Sequence, residues 1–131
     1  MSKKAEIRRQ ISNKEFQKSG KNIELNGLKE DLRRLKEALT DVEAAREDFT
    51  SAQSKYNSTK ITESDWKGET RSKSDNHKEE MDSDLKTVDR DFEDAVSSLE
   101  DDIAKKEQEI SGVEGEISTL ASEISTLRAK L

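Results

Sequence analysis

His77 is the only histidine of the chain, and Asp75, Glu79 and Glu80 lie within three residues of it. An imidazole beside carboxylates could act as an acid or base or bind a metal ion, provided that the groups converge in a pocket. Here the neighbours are polar residues on a predicted exposed helix, which favours a solvated surface. Cysteine is absent, and neither a glycine-rich phosphate loop nor a nucleophile elbow occurs. The sequence therefore predicts no enzyme, no bound cofactor and no metal site.

Acidic residues are concentrated in the second half of the chain, and clustered carboxylates could bind calcium. The run comprises Asp82, Asp84, Asp89, Asp91, Glu93, Asp94, Asp101 and Asp102. No D-x-D-x-D-G loop that ends in Glu occurs, so the run is better explained as a solvated helix face. The basic pairs at residues 8–9 and 33–34 are interleaved with acidic residues, and the net charge is −6. Nucleic acid is therefore not an expected partner.

Trp66 is the only tryptophan and lies two residues before Gly68. Tryptophan is a preferred anchor of protein interfaces, so one reading has Trp66 presented to a partner. In the other reading, its ring folds over Tyr56, Phe49 or Ile61, since burying one aromatic side chain contributes up to about 3 kcal/mol. Both readings remain open at this point.

Apolar residues recur at alternating steps of three and four, which predicts two coiled-coil helices. The first seam consists of Leu25, Leu28, Leu32, Leu35, Leu39, Val42, Phe49 and Tyr56, with Arg46 and Gln53 completing the spacing. Upstream, the same spacing passes through Ile7 and Ile11 and then through Lys14, Lys18 and Lys21, with Phe16 and Ile23 off the seam. We therefore expect the N-terminal third to be helical but weakly packed.

A longer seam fills the second half of the chain. It consists of Met81, Leu85, Val88, Phe92, Val96, Leu99, Ile103, Lys106, Ile110, Val113, Ile117, Leu120, Ile124, Leu127 and Leu131. Two consecutive steps of four, from Val88 to Phe92 to Val96, predict a stutter in the heptads.

The segment 57–68 separates the two seams and is rich in Asn, Ser and Thr, whose side chains compete with helical hydrogen bonding. Proline is absent, so nothing else in the chain forces a break. We expect an all-α fold, a long antiparallel two-helix coiled-coil hairpin with a W-x-G turn. It forms a single domain with helix one at about 3–56, the turn at about 57–68 and helix two at about 69–131.

The register follows from the centre of that turn, near residue 62. The numbers of facing residues would then add up to about 124. This register pairs Leu39 with Leu85, Leu28 with Val96, and Ile11 with Val113.

Charge is distributed unevenly between the two predicted helices. Residues 1–60 contain 14 Lys and Arg against 10 Asp and Glu, and residues 61–131 contain 10 against 20. We therefore expect the basic stretch that includes Lys14, Lys18 and Lys21 to lie along an acidic second helix. Only 29% of residues are hydrophobic and 41% are charged, which suits seams rather than one compact core. The charged N-terminus predicts no general secretory signal peptide, and no membrane span is expected.

The cleanest apolar stripe runs from Ile110 to Leu131, and we call its part from Val113 onward the C-terminal stripe. It comprises Val113, Ile117, Leu120, Ile124, Leu127 and Leu131. The facing N-terminal segment offers chiefly Ile7 and Ile11 among lysines, so the stripe is expected to seek another helix. We predict that the C-terminal stripe, together with Trp66 and Gly68, binds a protein partner.

Trp66-Lys67-Gly68 in the turn of a helical hairpin resembles the W-x-G signature of the WXG-type proteins exported by type VII secretion systems. The N-terminal coiled coil, the long charged segment after W-x-G and the C-terminal Ile-x-x-Leu repeats resemble the YwqH-like family, over nearly the whole chain. That family is found with LXG-type toxins in Gram-positive bacteria.

The resemblance implies a cytoplasmic accessory or targeting factor that binds the helical N-terminal domain of an LXG-type toxin and is itself a candidate for co-export with it. A second small helical accessory protein is a further implied partner, and a homodimer remains open. The alternative from a different class is a structural coiled-coil scaffold or homodimerising spacer with no role in secretion.

Overall fold

A computed structural model of the chain describes residues 2–58 and 69–131. The described residues form two helices, α1 at Lys3–Ser58 and α2 at Glu69–Ala129, which pack against each other. Ser2 caps α1, because its Oγ accepts a hydrogen bond from the Ala5 amide at 3.2 Å. The all-α helical hairpin predicted from the seams is confirmed. Of the turn predicted at about 57–68, residues 57–58 belong to α1, and residues 59–68, which include W-x-G, lie outside the described part.

The chain divides into two compact units. The terminal unit comprises Met1–Lys36 and Asp101–Leu131, and the central unit comprises Glu37–Glu100. The five most buried apolar residues all belong to the terminal unit. They are Ile11, Ile103, Ile110, Val113 and Ile124, with exposed fractions of 5% to 9%.

The observed register differs from the predicted one. In the terminal unit Lys14 pairs with Glu123, Lys21 with Glu116, and Asp31 with Lys106, so partner numbers add up to 137 rather than about 124. In the central unit the Phe49 and Phe92 rings lie 5.6 Å apart, and Lys78 Nζ lies 5.7 Å from the centre of the Tyr56 ring. The prediction took the register from the centre of the turn, whereas these contacts between the helices fix a different one.

The seam of α1 is confirmed residue by residue. Every seam position from Ile7 to Tyr56, including Lys14, Lys18, Lys21, Arg46 and Gln53, is half-buried or buried. Phe16 and Ile23, predicted to lie off the seam, are 82% and 72% exposed. The expectation that the N-terminal third is weakly packed is wrong, because Ile11 is only 8% exposed.

The seam of α2 differs from the prediction near its start. Met81 and Val88 are 50% and 39% exposed, whereas Asp89 contacts α1 through Arg46, whose Nε lies 3.4 Å from its Oδ1. Read through the half-buried Asp82 and Asp89 in place of Met81 and Val88, the spacing alternates between three and four from Asp82 to Val96. The predicted stutter is therefore unnecessary, because a polar residue occupies the seam position and pairs with the polar residue opposite.

Gly112 and Gly115 lie on the exposed side of α2, where an added Cβ would meet nothing within 4 Å. Glycine in a helix interior costs about 0.5–1 kcal/mol relative to alanine. We expect Gly112→Ala and Gly115→Ala each to raise the free energy of unfolding by about that amount. Urea unfolding followed by circular dichroism measures the change, and a loss of stability in either variant would contradict the open geometry.

Candidate helix-docking surface

The C-terminal stripe is placed on one face of α2 in the terminal unit. Val113 and Ile124 are 6% and 5% exposed, whereas Ile117, Leu120 and Leu127 are half-buried. Leu131 lies beyond the end of α2 and is 43% exposed. The stripe thus has an inner edge that packs on α1 and outer edges that remain accessible.

The stripe is matched within the hairpin more fully than the sequence suggested. Ile11 is buried, and the seam lysines that follow it are half-buried along α2. Lys14 is paired with Glu123, and Lys21 Nζ lies 2.6 Å from Glu116 Oε2. The lysine stems therefore cover apolar side chains while their ammonium groups meet carboxylates of α2. The predicted alignment of the basic stretch with acidic α2 is observed at these two pairs.

A groove lies on each side of the seam between the helices. The first, of about 450 Å³, is lined by Glu15, Lys18, Ser19, Asn22, Ala121, Ile124, Ser125 and Arg128. The second, of about 370 Å³, is lined by Gln17, Lys21, Glu116, Thr119 and Leu120. Arg128 is paired with Glu15 at the first groove, and Lys21 with Glu116 at the second. Each groove therefore combines one side chain of the stripe, Ile124 in the first and Leu120 in the second, with an ion pair, an arrangement suited to an amphipathic helix.

The ion pair at the second groove should be measurable by titration. The hydrogen bond to Glu116, followed by the charges of Glu116 and Glu24, raises the pKa of Lys21. A lysine whose pKa is raised in the folded chain stabilises the fold in full at any pH below the ordinary lysine pKa. This stabilisation is lost as the pH rises through the higher pKa of the folded chain. We expect Glu116→Gln to lower the pKa of Lys21 toward its ordinary value, measured by NMR titration of the side chain. Glu24→Gln is the matched control and should lower it less, because Glu24 contributes less; equal effects would contradict the pairing.

Two further candidate residues, Trp66 and Gly68, lie outside the described residues. His77 is exposed on α2. Within residues 2–58 and 69–131, no group of three or more His, Cys, Asp or Glu could hold a metal ion. Neither described helix is long and apolar enough to cross a membrane.

The outer face of α1 is a surface for which no role was predicted from the sequence. Phe16 and Ile23 are the two most exposed large apolar residues in the described chain, and both lie away from α2. Their displacement from the heptad spacing was the signal that could have identified this face.

Among known protein families, the family model described as YwqH-like matches residues 9–129. Neither a curated protein nor a solved structure matches the chain.

Proposed function

The chain belongs to the YwqH-like family, and from that premise we propose that it is a non-enzymatic accessory factor that binds the helical N-terminal domain of an LXG-type toxin. The partner's helices dock in the two grooves of the terminal unit and complete a multi-helix bundle. The chain binds the toxin in the cytoplasm and accompanies it to a type VII secretion machine, with Trp66 and Gly68 as a second contact.

The observation that carries this proposal is the incomplete burial of the seam. No side chain in the described residues is less than 2% exposed, and Ile117, Leu120 and Leu127 are only half-buried. Two helices alone cannot surround a core, so the sides of the seam remain open. Further helices would bury these sides and gain about 25 cal/mol for each Å² of apolar surface removed from water.

Two threonine hydroxyls beside the stripe add little desolvation cost to the docking of a helix. Thr119 donates a hydrogen bond to the Gly115 carbonyl at 3.0 Å, and Thr126 donates one to the Ser122 carbonyl at 3.0 Å. Because both hydroxyls are satisfied within α2, a partner helix need not supply acceptors for them. Covering Thr119 and Thr126 therefore leaves neither hydroxyl unpaired, which supports α2 as the wall of an interface.

Two substitutions can obstruct both grooves without removing a side chain that packs between α1 and α2. Thr119 and Ser125 are exposed and line the second and the first groove, respectively. We expect the double variant Thr119→Arg/Ser125→Arg to weaken binding to the helical N-terminal domain of an LXG-type toxin by at least about 100-fold, because both approaches become obstructed. Isothermal titration calorimetry with the purified domain measures the affinity.

The matched control is Ser122→Arg, which adds the same side chain to the same helix. Ser122 is exposed and lines neither groove. It should bind with parental affinity, and circular dichroism should show equal helix content in all variants. Parental affinity in the double variant would refute docking in the grooves, and absence of binding by the parental chain would favour a structural spacer.

A further inference from the structure

Five lysine and arginine side chains are half-buried in the part of the chain that the structure describes, and all five lie on the seam. Four of them form ion pairs with carboxylates of the facing helix, namely Lys14, Lys21, Arg46 and Lys106. Lys18 is the fifth, and its ammonium group has no hydrogen-bond or ion-pair partner among residues 2–58 and 69–131. This half-buried cation therefore lacks the carboxylate that the other four have.

Lys18 occupies a position of the seam that is otherwise apolar. Ile11 precedes it by seven residues and Leu25 follows it by seven, so the three share one heptad position. Ile11 is buried and Leu25 is half-buried. Lys18 also lines the first groove, beside Ile124 of the C-terminal stripe. The aliphatic stem of Lys18 thus packs in the seam, and its charge belongs to the groove.

The lining of the first groove does not balance the charge of Lys18. Glu15 is the one acidic residue of this lining, and it is paired with Arg128. Two cations and one anion therefore leave the lining with a net charge of +1. Three further polar residues of the lining can donate hydrogen bonds from hydroxyl or amide groups, namely Ser19, Asn22 and Ser125. The first groove is therefore complementary to a negatively charged acceptor.

A helix that docks in the first groove would remove the ammonium group of Lys18 from water. Burial of an unpaired charge is unfavourable, because nothing replaces its hydration, whereas a facing carboxylate balances the charge and accepts its hydrogen bonds. The second groove makes no such demand, because Lys21 and Glu116 are already paired there. The two grooves therefore differ in the helix that each accepts.

From the unpaired cation and the donors around it, we infer that the first groove selects a partner helix with an Asp or Glu on its apolar face, and that Lys18 binds this carboxylate. The inference rests on the proposed docking of helices in the grooves and adds the chemistry by which a partner is chosen. A helix with an uncharged side chain at that place leaves the ammonium group unpaired and binds weakly. Lys18 is thus a residue that determines specificity.

Two synthetic peptides test this preference without any toxin sequence. Both are amphipathic helices of about 28 residues with Leu and Ile at alternating steps of three and four, and they differ only in a central Glu or Gln on the apolar face. We expect the parental chain to bind the Glu peptide at least about tenfold more tightly than the Gln peptide, measured by fluorescence anisotropy. Lys18→Met, which keeps an unbranched stem and removes the charge, should bind both peptides equally.

The matched control is Lys105→Met, which removes a lysine charge from the exposed side of α2. Lys105 lines neither groove. This variant should keep the preference for the Glu peptide, and circular dichroism should show equal helix content in all three chains. Equal binding of the two peptides by the parental chain, binding of neither peptide, or a preference that persists in Lys18→Met overturns the inference.

The helical N-terminal domain of an LXG-type toxin separates this inference from the proposed function. Binding by the parental chain that weakens at least about tenfold in Lys18→Met supports both. Parental affinity in Lys18→Met retains the toxin as partner and overturns carboxylate recognition by Lys18. A chain that does not bind the toxin domain, yet prefers the Glu peptide through Lys18, supports carboxylate recognition and refutes the toxin as partner.

Discussion

Ile124→Ala is expected to lower the free energy of unfolding by about 2–4 kcal/mol. Ile124 is 5% exposed, the lowest fraction among the buried apolar residues, and its removal leaves a cavity between α2 and the segment around Ile11. Because a two-helix protein has little stability in reserve, this loss would unfold a large fraction of the terminal unit. Urea unfolding followed by circular dichroism at 222 nm measures it.

The control for this prediction is Phe16→Ala, which removes a larger side chain from the facing helix. Phe16 is 82% exposed, so the free energy of unfolding should change by no more than about 0.5 kcal/mol when the chain is dilute and monomeric. Similar losses in the two variants would mean that α1 and α2 do not pack through the seam described above.

Replacing both Arg46 and Asp89 by Leu is expected to raise the free energy of unfolding by about 2 kcal/mol. The two residues occupy facing seam positions in the central unit, and their side chains are 34% and 42% exposed. At such a position the desolvation cost of an ion pair offsets most of the attraction between its charges. Two leucines would instead extend the apolar contact beside Phe49 and Phe92. Urea unfolding followed by circular dichroism at 222 nm measures this change in the free energy of unfolding.

The comparison variant is Glu30→Leu/Arg33→Leu, which removes an exposed pair within α1. Arg33 Nε lies 3.0 Å from Glu30 Oε2, and neither side chain faces the seam. Its stability should stay within about 0.5 kcal/mol of the parental chain. If the seam replacement gives no gain over this control, the Arg46–Asp89 pair is not part of the packed seam.

The two helices could be predicted from the spacing of apolar residues alone. Steps of three and four identify the buried face wherever the chain is helical, which is why Phe16 and Ile23 were correctly placed outside the seam. Lysines at seam positions fitted the same spacing, because long stems pack while their ends stay in water.

The register could not be obtained from the turn. Residues 67–80 contain no large apolar side chain, so their sequence does not fix a register for the start of α2. Lys78 contacts Tyr56 in the central unit. The predicted register left Ile124 without a facing residue, and the C-terminal stripe consequently seemed unmatched. The polar pair of Arg46 and Asp89 was missed for a related reason, since only the correct register brings those two residues together.

Incomplete burial of the described side chains has a thermodynamic consequence. The heat-capacity change of unfolding scales with the apolar area that unfolding exposes. Here it should fall below the usual value of roughly 12–15 cal/mol/K per residue. The stability of the free chain then varies only gently with temperature. A helix that covers Leu120 and Leu127 would add apolar burial, so association should show a negative heat-capacity change. The complex would consequently have a more sharply curved stability profile than the chain alone.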